Sequence, residues 1–446
     1  MRRSAILQMS LRFVLGRGSG RGGRLRSAIL GIGLSLVPLV VVIEVSDGMI
    51  QGITSRFLET GTYHLQGIAL DSPSRETMNR LSSEAERGSE ISHVFPERRG
   101  NGLLYSDAGR SGVTIRALEA SQWSEDPAMR RYMEVSAGEF DLSEDRSIVV
   151  GRQMAQNLEV TVGDRVKLLT VRSLGGERML PRVSSFRITG IVSSGYSELD
   201  RLWVFVPLER GLEVIPPESG RFVMGVKVGK PYALSNGLFG SSSETYTRRV
   251  LSELRQVFDE SYRFFTWYSL EQSRYLSFRT TKNLLVFIMV LIVVVASVNI
   301  STALVMLYLD REPEIAILKS MGTSPGEIAA IFRLCGFVSG VIGTAVGVAV
   351  GLLVAVNINE VLRGIEFVLN AVLAAAEWLM SPLRSVDLGA VDVFNAQFYL
   401  ERIPIVIGMP ELLAVAGGAI ALATLASVVP ARRAGRARPL EIMRRH

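Results

Sequence analysis

The residue types that most often carry out catalysis are sparse in this sequence and stand far apart. Its histidines are His64, His93 and His446, and its single cysteine is Cys335. No histidine pairs recognisably with a serine or cysteine nucleophile. One cysteine excludes a disulfide within the chain and a zinc site of the two-cysteine, two-histidine type. The sequence therefore predicts no catalytic residues and no metal site.

A glycine- and arginine-rich stretch near the N-terminus raises the question of phosphate binding. It reads GRGSGRGGR over residues 16–24. It lacks the Lys-Ser/Thr pair with which a GxxxxGK[ST] loop holds nucleotide phosphates and Mg²⁺. We therefore expect no cofactor in this chain, and any ATP that drives it must be bound by another polypeptide.

The stretch EPEIAILKSMGTSPGE, residues 312–327, has the pattern of a short helix followed by a sharp turn. Pro313 suits a first helical turn because it lacks the amide hydrogen that would stay unpaired there. Gly322 is the expected left-handed stop. Ser324 and Glu327 have the spacing of a capping box, which starts a new helix. The sequence thus predicts a helix over 313–321, a turn and a second helix.

The short helix carries more apolar side chains than a free turn in water would need. They are Ile315, Ile317, Leu318 and Met321. One interpretation is an amphipathic helix that lies among lipid headgroups. The other is a docking helix whose apolar groups enter a groove on a soluble partner. These residues alone favour neither interpretation.

Four apolar runs nearly free of charge lie at 27–43, 284–307, 334–356 and 412–430. A helix of about 20 residues crosses a hydrocarbon core of about 30 Å, and the last three runs reach that length. The first is shorter, and the basic residues before it are also typical of a signal peptide. No convincing cleavage site follows it, which favours a retained span.

Arginine placement predicts the orientation of these spans. Residues 1–26 hold seven arginines and no acid, and residues 431–446 hold six arginines and one glutamate. The positive-inside rule places both ends in the cytoplasm. We predict cytoplasmic segments at 1–26, 309–330 and 431–446, membrane spans at 27–46, 281–308, 331–356 and 411–430, and extracytoplasmic segments at 47–280 and 357–410.

The large segment 47–280 has no long apolar run and mixes the patterns of strands and helices. The helical pattern is clearest at 244–262, where apolar residues share one stripe. A polar turn, LGGERMLPR at 174–182, joins two of the strand-like pieces and predicts a protruding hairpin. The strand-like pieces lie at 146–151, 164–173, 185–194, 201–208 and 221–229. The predicted fold class is an α-helical membrane protein with four transmembrane helices and a large α/β extracytoplasmic domain.

The third apolar run repeats glycine at intervals of four or three residues. Small residues at this spacing let a helix backbone approach its neighbour closely, although glycine is also frequent in membrane helices generally. We predict a helix-packing face. Its residues are Gly336, Gly340, Gly343, Gly347 and Gly351.

Several segments resemble a known family of transporters. EIAILKSMGTSPGEIAAIF at 314–332 and ATLASVVPARRAGRARPLEIMR at 423–444 resemble the FtsX-like permease domain of ATP-binding-cassette systems. VSDGMIQGITSRFLETGTYHLQ at 45–66 and SIVVGRQMAQNLEVTVGDRVKLLT at 147–170 are similar to the lipoprotein-releasing permeases of the LolC/LolE type, whose outer domain is MacB-like. These motifs occur in the family's order over most of the chain.

The resemblance implies a permease subunit, not an enzyme, in a bacterial inner membrane, with its large domain in the periplasm. Its implied partners are two copies of a separate ATPase that binds ATP and Mg²⁺, a second permease copy or a paralogue, a lipoprotein substrate and a LolA-like periplasmic chaperone. No nucleic acid is implied. In the family, movement of the membrane helices is transmitted to the outer domains, and a lipoprotein leaves the outer leaflet without passing through a channel.

Two sets of site residues follow from the resemblance, and a third from the need of an acyl chain for apolar surface at the outer membrane face. The coupling helix, which docks the ATPase, has Glu314, Ile315, Ile317, Leu318, Lys319, Met321 and Gly322. The chaperone-binding hairpin has Arg178, Met179, Leu180, Pro181 and Arg182. The lipid-facing cavity has Val40, Val42, Ile43, Met49, Leu284, Phe287 and Ile288.

Two other functions remain open for the same architecture. One is a MacB-like permease that exports a peptide or drug, although MacB-type chains usually carry their own ATPase domain. The other is an FtsX-like regulator of a cell-wall hydrolase, against which the size of the outer domain counts. Residues 370–389 look like an insertion relative to the LolC/LolE type. We predict that its apolar first half is a helix on the membrane surface, and its role stays open.

Overall fold

The structure is a computed structural model that describes residues 8, 10, 23–173, 179–234, 241–380 and 404–436. The described residues belong to two compact units. The helical unit comprises residues 8, 10, 23–49, 278–380 and 404–436, and the sheet unit comprises residues 50–173, 179–234 and 241–277.

Among the described elements, long helices stand before and after a series of strands. In chain order the elements are α1 (Gly23–Arg56), a π-helical turn (Phe57–Gly61), β1 (Leu65–Ala69), α2 (Arg75–Ala85), β2 (Ile91–Tyr105), β3 (Arg110–Leu118), α3 (Gln122–Glu125), α4 (Pro127–Tyr132), β4 (Glu134–Gly138), β5 (Ser147–Gly151), α5 (Arg152–Asn157), β6 (Arg165–Ser173), β7 (Met179–Ser193), α6 (Ser197–Leu202), β8 (Trp203–Pro207), α7 (Leu208–Val214), β9 (Arg221–Val228), α8 (Ser241–Phe258), β10 (Tyr262–Thr266), α9 (Trp267–Asp310), α10 (Glu312–Ser320), α11 (Pro325–Val356), α12 (Ile358–Met380), α13 (Met409–Ala426) and α14 (Val428–Arg436).

Four candidate membrane helices are present among the described residues. By length and apolar composition they are Ile29–Gly61, Trp267–Asp310, Pro325–Val356 and Met409–Gly435. Because about 20 residues of helix suffice to cross the hydrocarbon core, each has the necessary length. The prediction of four such helices is confirmed, whereas their insertion into a membrane stays a prediction.

One mixed sheet organises the sheet unit. Its described strands run in the order β10-β1-β9-β2-β3-β8-β5-β7-β4, and β6 pairs with both β2 and β7. The β3–β8 and β5–β7 pairs are parallel, and the other pairs are antiparallel. Helix α8 packs on the sheet through Val250, Leu254 and Phe258, which belong to the stripe expected at 244–262. The predicted α/β domain is confirmed.

The hairpin differs from its sequence-based prediction in the extent of its second arm. Strand β7 begins at Met179 rather than at residue 185. Pro181 is paired with Val171 and Arg182 with Thr170 across β6. Strand β6 continues to pair with residues that the sequence placed in the turn, so Pro181 and Arg182 lie in a strand. The remainder of the turn, residues 174–178, lies outside the described residues.

Candidate functional site

The predicted helix–turn–helix at 312–327 is confirmed. Helix α10 has Pro313 in its first turn and ends at Ser320. Gly322 follows with a φ of 91°, a left-handed conformation that favours glycine. Ser324 then accepts a hydrogen bond from the Glu327 amide at 3.3 Å and returns one to the Glu327 carboxylate at 2.9 Å. This capping box starts α11, so two helices meet at a sharply defined turn.

The apolar residues of α10 do not share one environment. Ile315 is 2% exposed and belongs to the same buried cluster as Leu307 and Phe332. Ile317 and Met321 are 59% and 78% exposed. The assignment of Ile315 to a docking surface is therefore wrong, because this side chain fills the core of the helical unit instead.

The other residues assigned to the coupling helix lie at or near its surface. Glu314 and Gly322 are exposed, and Leu318 and Lys319 are half-buried. The Lys319 ammonium donates a hydrogen bond to the carbonyl of Gly435 at 2.8 Å, which ties α10 to α14. The exposed apolar surface of α10 thus centres on Ile317 and Met321, and Lys319 has a contact within the chain.

The glycines of α11 lie where neighbouring helices approach most closely. A Cβ atom added at Gly340 would lie 2.7 Å from the Cβ of Ala423 in α13, and one added at Gly347 would lie 2.7 Å from the carbonyl oxygen of Gly33 in α1. Both distances are too short for a real Cβ atom. Helix α11 therefore packs against α1 and α13 through its glycines. Gly336 meets Ser427 and Gly351 meets Val40 at similarly short distances, and a Cβ added at Gly343 would make a tight contact with Ile32 at 3.1 Å.

The proposed lipid-facing set divides between exposed and buried positions. Leu284, Phe287 and Ile288 of α9 are exposed. Val40 and Ile43 of α1 are buried, and Val40 packs against Gly351. The assignment of Val40 and Ile43 to a cavity wall is wrong, because both fill the contact of α1 with its neighbouring helices. The remaining members, Val42 and Met49, are half-buried.

Polar contacts that the sequence analysis missed join the helices near the predicted outer face. Asp47 of α1 forms an ion pair with Lys282 of α9. The Glu44 carboxylate accepts a hydrogen bond from the amide of Gly408 at 3.2 Å, next to the start of α13. These contacts link three of the candidate membrane helices. Each joins residues that are hundreds of positions apart, so no local sequence pattern predicts it.

The second strand of the hairpin, β7, exposes apolar side chains, whereas its Arg182 contacts another part of the chain. Leu180 and Val183 are exposed. Arg182 donates a hydrogen bond to the carbonyl of Glu213, and its guanidinium lies 4.0 Å from the Glu213 carboxylate. Arg182 therefore has a partner within the chain. Arg178 and the side chain of Met179 lie outside the described residues.

A buried ionic cluster in the sheet unit also escaped the sequence analysis. The Glu97 carboxylate on β2 accepts hydrogen bonds from Arg116 at 2.7 and 2.9 Å and from Arg99 at 2.7 Å. The Tyr63 hydroxyl donates to it at 2.9 Å and accepts from the Gln122 amide at 3.0 Å. Burial would raise the pKa of Glu97, but the two guanidiniums lower it to about 2. The carboxylate therefore stays ionised inside the protein.

A second buried set surrounds Lys227 on β9. Its ammonium lies 2.7 Å from the Asp126 carboxylate and 3.1 Å from that of Glu59. Glu59 is in turn 3.1 Å from His64, whose other ring nitrogen accepts the Val228 amide at 2.8 Å. The buried Lys227 therefore has two carboxylates as counter-charges.

Both clusters hold the chain where the first long helix ends. Lys227 donates to the carbonyl of Glu59 at 3.1 Å, Arg99 to that of Gly61 at 2.6 Å, and Arg116 to that of Thr60. The last carbonyls of a helix lack partners within it and carry a partial negative charge, so cations stabilise them. We call Arg99, Arg116 and Lys227, with these three carbonyls, the helix-end clamp. No local sequence pattern predicts this clamp, because Arg99 and Arg116 come together only through the pairing of β2 with β3.

Comparison with known proteins assigns both halves of the chain. The family described as FtsX-like permease C-terminal matches residues 286–439, and the family described as MacB-like periplasmic core domain matches residues 27–231. LolC of Xylella fastidiosa (strain Temecula1) is 23% identical over 94% of this chain and 93% of its own. LolC of Neisseria meningitidis serogroup B, also at 23%, and LolE of Haemophilus influenzae, at 21%, cover the same shares. This chain is an ABC transporter permease, and it is similar to LolC and LolE over most of its length.

A solved structure adds a weaker likeness to this permease. The periplasmic region of MacB from Actinobacillus actinomycetemcomitans covers 49% of the permease and 94% of its own chain, with 13% identity and a TM-score of 0.29. That score is too low to compare the two in detail.

The sites of the permease divide between the two matched regions. Helix α10 and the glycines of α11 lie within the FtsX-like region. The helix-end clamp lies within the MacB-like region. The permease thus has a surface helix in one region and buried contacts at the end of its first long helix in the other.

Proposed function

We propose that this permease is the membrane subunit of a transporter that extracts lipoproteins from the outer leaflet of a bacterial inner membrane and hands them to a LolA-like chaperone. The likeness to LolC and LolE over 94% of the chain carries this proposal. In it the four candidate membrane helices cross the membrane, both chain ends face the cytoplasm, and the sheet unit lies in the periplasm. The permease pairs with a second copy or a paralogue.

In this proposal, the energy of ATP hydrolysis acts on the permease through α10. A separate ATPase, present in two copies, binds ATP and Mg²⁺ and receives this helix in a groove. The exposed Ile317 and Met321 supply apolar contact of the kind with which a helix lies in a groove on its partner. The buried Ile315 fixes the helix to the helical unit, so that a push on the exposed face moves the membrane helices with it.

The two longest helices then carry the motion toward the periplasm. Helix α1 has 34 residues and α9 has 44, and both exceed the roughly 20 that cross a bilayer. Residues 50–56 of α1 and 267–277 of α9 belong to the sheet unit. The helix-end clamp holds the chain just beyond α1, and α9 begins directly after β10. These features support transmission of movement by rigid helices rather than passage of a substrate through a channel.

The test is reconstitution of the permease and its ATPase in vesicles that contain a fluorescent triacylated lipoprotein. We expect ATP-dependent transfer of the lipoprotein to a soluble LolA-like chaperone. The same polypeptide without its acyl chains is the control and should not be transferred. Lipoprotein that stays in the vesicles while ATP is hydrolysed would refute the proposal.

The match to the MacB-like periplasmic family supports a second candidate, a permease that drives export of a peptide or drug. The same vesicles distinguish the two functions. Export predicts ATP-dependent movement of a water-soluble peptide and no dependence on a lipoprotein chaperone. The FtsX-like alternative predicts activation of an added cell-wall hydrolase and no movement of either substrate.

A further inference from the structure

The helix that follows the third candidate span continues almost directly from it. Helix α11 ends at Val356 and α12 begins at Ile358. Asn357 stands between them: its side-chain amide donates to the Leu353 carbonyl at 2.8 Å, and its own carbonyl accepts the Glu360 amide at 3.0 Å. One residue thus ends the first helix and starts the second. The start of α12 is fixed to the end of α11.

Helix α12 is strongly two-sided. At 100° per residue, one continuous arc carries only aliphatic side chains over its described part. Within this arc Ile358 is buried, whereas Val368 and Val372 are 59% and 62% exposed. The opposite arc carries Asn359, Glu360, Arg363, Glu366 and Asn370, together with Phe367 and two alanines. We call the exposed part of the aliphatic arc the α12 face; it comprises Ile365, Val368, Leu369 and Val372.

We propose that the α12 face lies in the outer surface of the lipid bilayer, between the headgroups and the acyl chains. This inference rests on the proposed function, which places the C-terminal end of α11 at the periplasmic side. Helix α11 has 32 residues, about 20 of which cross the hydrocarbon core. The next helix therefore starts at the depth of the headgroups. An amphipathic helix that starts there buries its apolar arc by lying along the surface.

The charged residues of α12 lie outside its exposed aliphatic face. Arg363 forms an ion pair with Glu360 one turn earlier, and both side chains are exposed. Glu366 lies at the border of the aliphatic arc, and the α12 face itself is purely aliphatic. Protein-binding faces are typically anchored by aromatic or arginine side chains, and this face has neither. A fluid hydrocarbon layer needs only a continuous apolar arc, which is what α12 offers.

The test measures which medium each side of α12 contacts in the full-length permease. Cys335 is the only cysteine of the chain, so Cys335→Ala provides a cysteine-free background. Single cysteines replace Ile365 and Val372 on the α12 face and Arg363 and Asn370 opposite, and each receives a nitroxide label. In vesicles of phosphatidylethanolamine and phosphatidylglycerol, we expect oxygen to relax the labels at 365 and 372 at least threefold more than a water-soluble nickel chelate does. The labels at 363 and 370 should show the reverse order.

Two results would overturn the inference. Equal access of the nickel chelate to both sides would mean that α12 projects into water. Exclusion of both reagents from 365 and 372 would mean that protein, such as a second copy of the chain, covers the face. The measurement involves no lipoprotein, so its failure leaves the transfer assay unaffected. Conversely, if lipoprotein transfer is not observed but the labels at 365 and 372 are accessible to oxygen, the proposed location of α12 is still supported.

Discussion

At the scale of single residues, Glu97 is the carboxylate that neutralises the arginines of the helix-end clamp. The buried Arg116 would lose its counter-charge in Glu97→Gln, and breaking a buried ion pair costs on the order of 3–5 kcal/mol. The native pKa of about 2 lies below the ordinary value of 4.5. Ionised Glu97 therefore stabilises the fold above about pH 4.5, and this contribution is lost as the pH falls toward 2.

We predict that Glu97→Gln lowers the thermal midpoint of the detergent-solubilised permease at pH 7. The loss should shrink as the pH is lowered from 4.5 toward 2, because the wild-type carboxylate is protonated there. A suitable control is Glu209→Gln, which removes a solvent-exposed ion pair with Arg75 and should change little. A difference between Glu97→Gln and wild type that is the same at every pH would contradict the role assigned to the charge.

At the scale of elements, α10 exposes two apolar side chains, Ile317 and Met321, which the proposed function assigns to contact with the ATPase. An aspartate in an apolar contact must be desolvated without a partner charge, which opposes binding. We predict that Ile317→Asp lowers co-purification of the ATPase at least tenfold, whereas the amount of permease in the membrane is unchanged. Gly326→Asp places the same charge nearby, at a position where an added Cβ meets no atom within 4 Å, and should retain the ATPase. An ATPase that stays bound to Ile317→Asp would favour a helix that lies among headgroups.

The packing of α11 can be tested with a single methyl group. Gly347→Ala brings a Cβ within 2.7 Å of the Gly33 carbonyl oxygen, and overpacking of this kind typically costs about 1–3 kcal/mol. We predict a lower thermal midpoint for Gly347→Ala. Gly417→Ala in α13 is the matched control, since its Cβ would meet no atom within 4 Å. Equal midpoints for both variants would show that the close approach of α1 and α11 is not required.

The elements that could be predicted from the sequence are those with local signals. Pro313, Gly322 and Ser324 each act within one turn of chain, and the helix–turn–helix that they predict is present. The side of α10 that faces inward depends on the helices around it, so the burial of Ile315 had no local sign. The helix-end clamp joins Glu59 to Lys227, 168 residues away, through a sheet order that the sequence does not display.

At the scale of the whole molecule, the proposed function requires that ATP hydrolysis and lipoprotein transfer can be separated. The helix-end clamp is the place to separate them, because it holds the end of the first long helix and is not part of α10. Lys227→Met removes one of its three basic side chains, and with it the contact to the Glu59 carbonyl. The cluster of Glu97 and Arg116 keeps its own contacts in this variant.

We predict that Lys227→Met lowers lipoprotein transfer to the chaperone at least tenfold, whereas the ATPase activity of the assembled complex stays within about twofold of wild type. The turn after α1 would then lose its direct contact with the β9 lysine, so that movement of α1 would be transmitted less completely and ATP would be hydrolysed without extraction. Lys227→Arg retains the charge and should therefore keep more of the transfer than Lys227→Met does. Lys230→Met, an exposed change three residues away, is the control for loss of a lysine in this region. Transfer and hydrolysis that fall together in Lys227→Met would point to a folding defect, and normal transfer would show that Lys227 has no part in transmission.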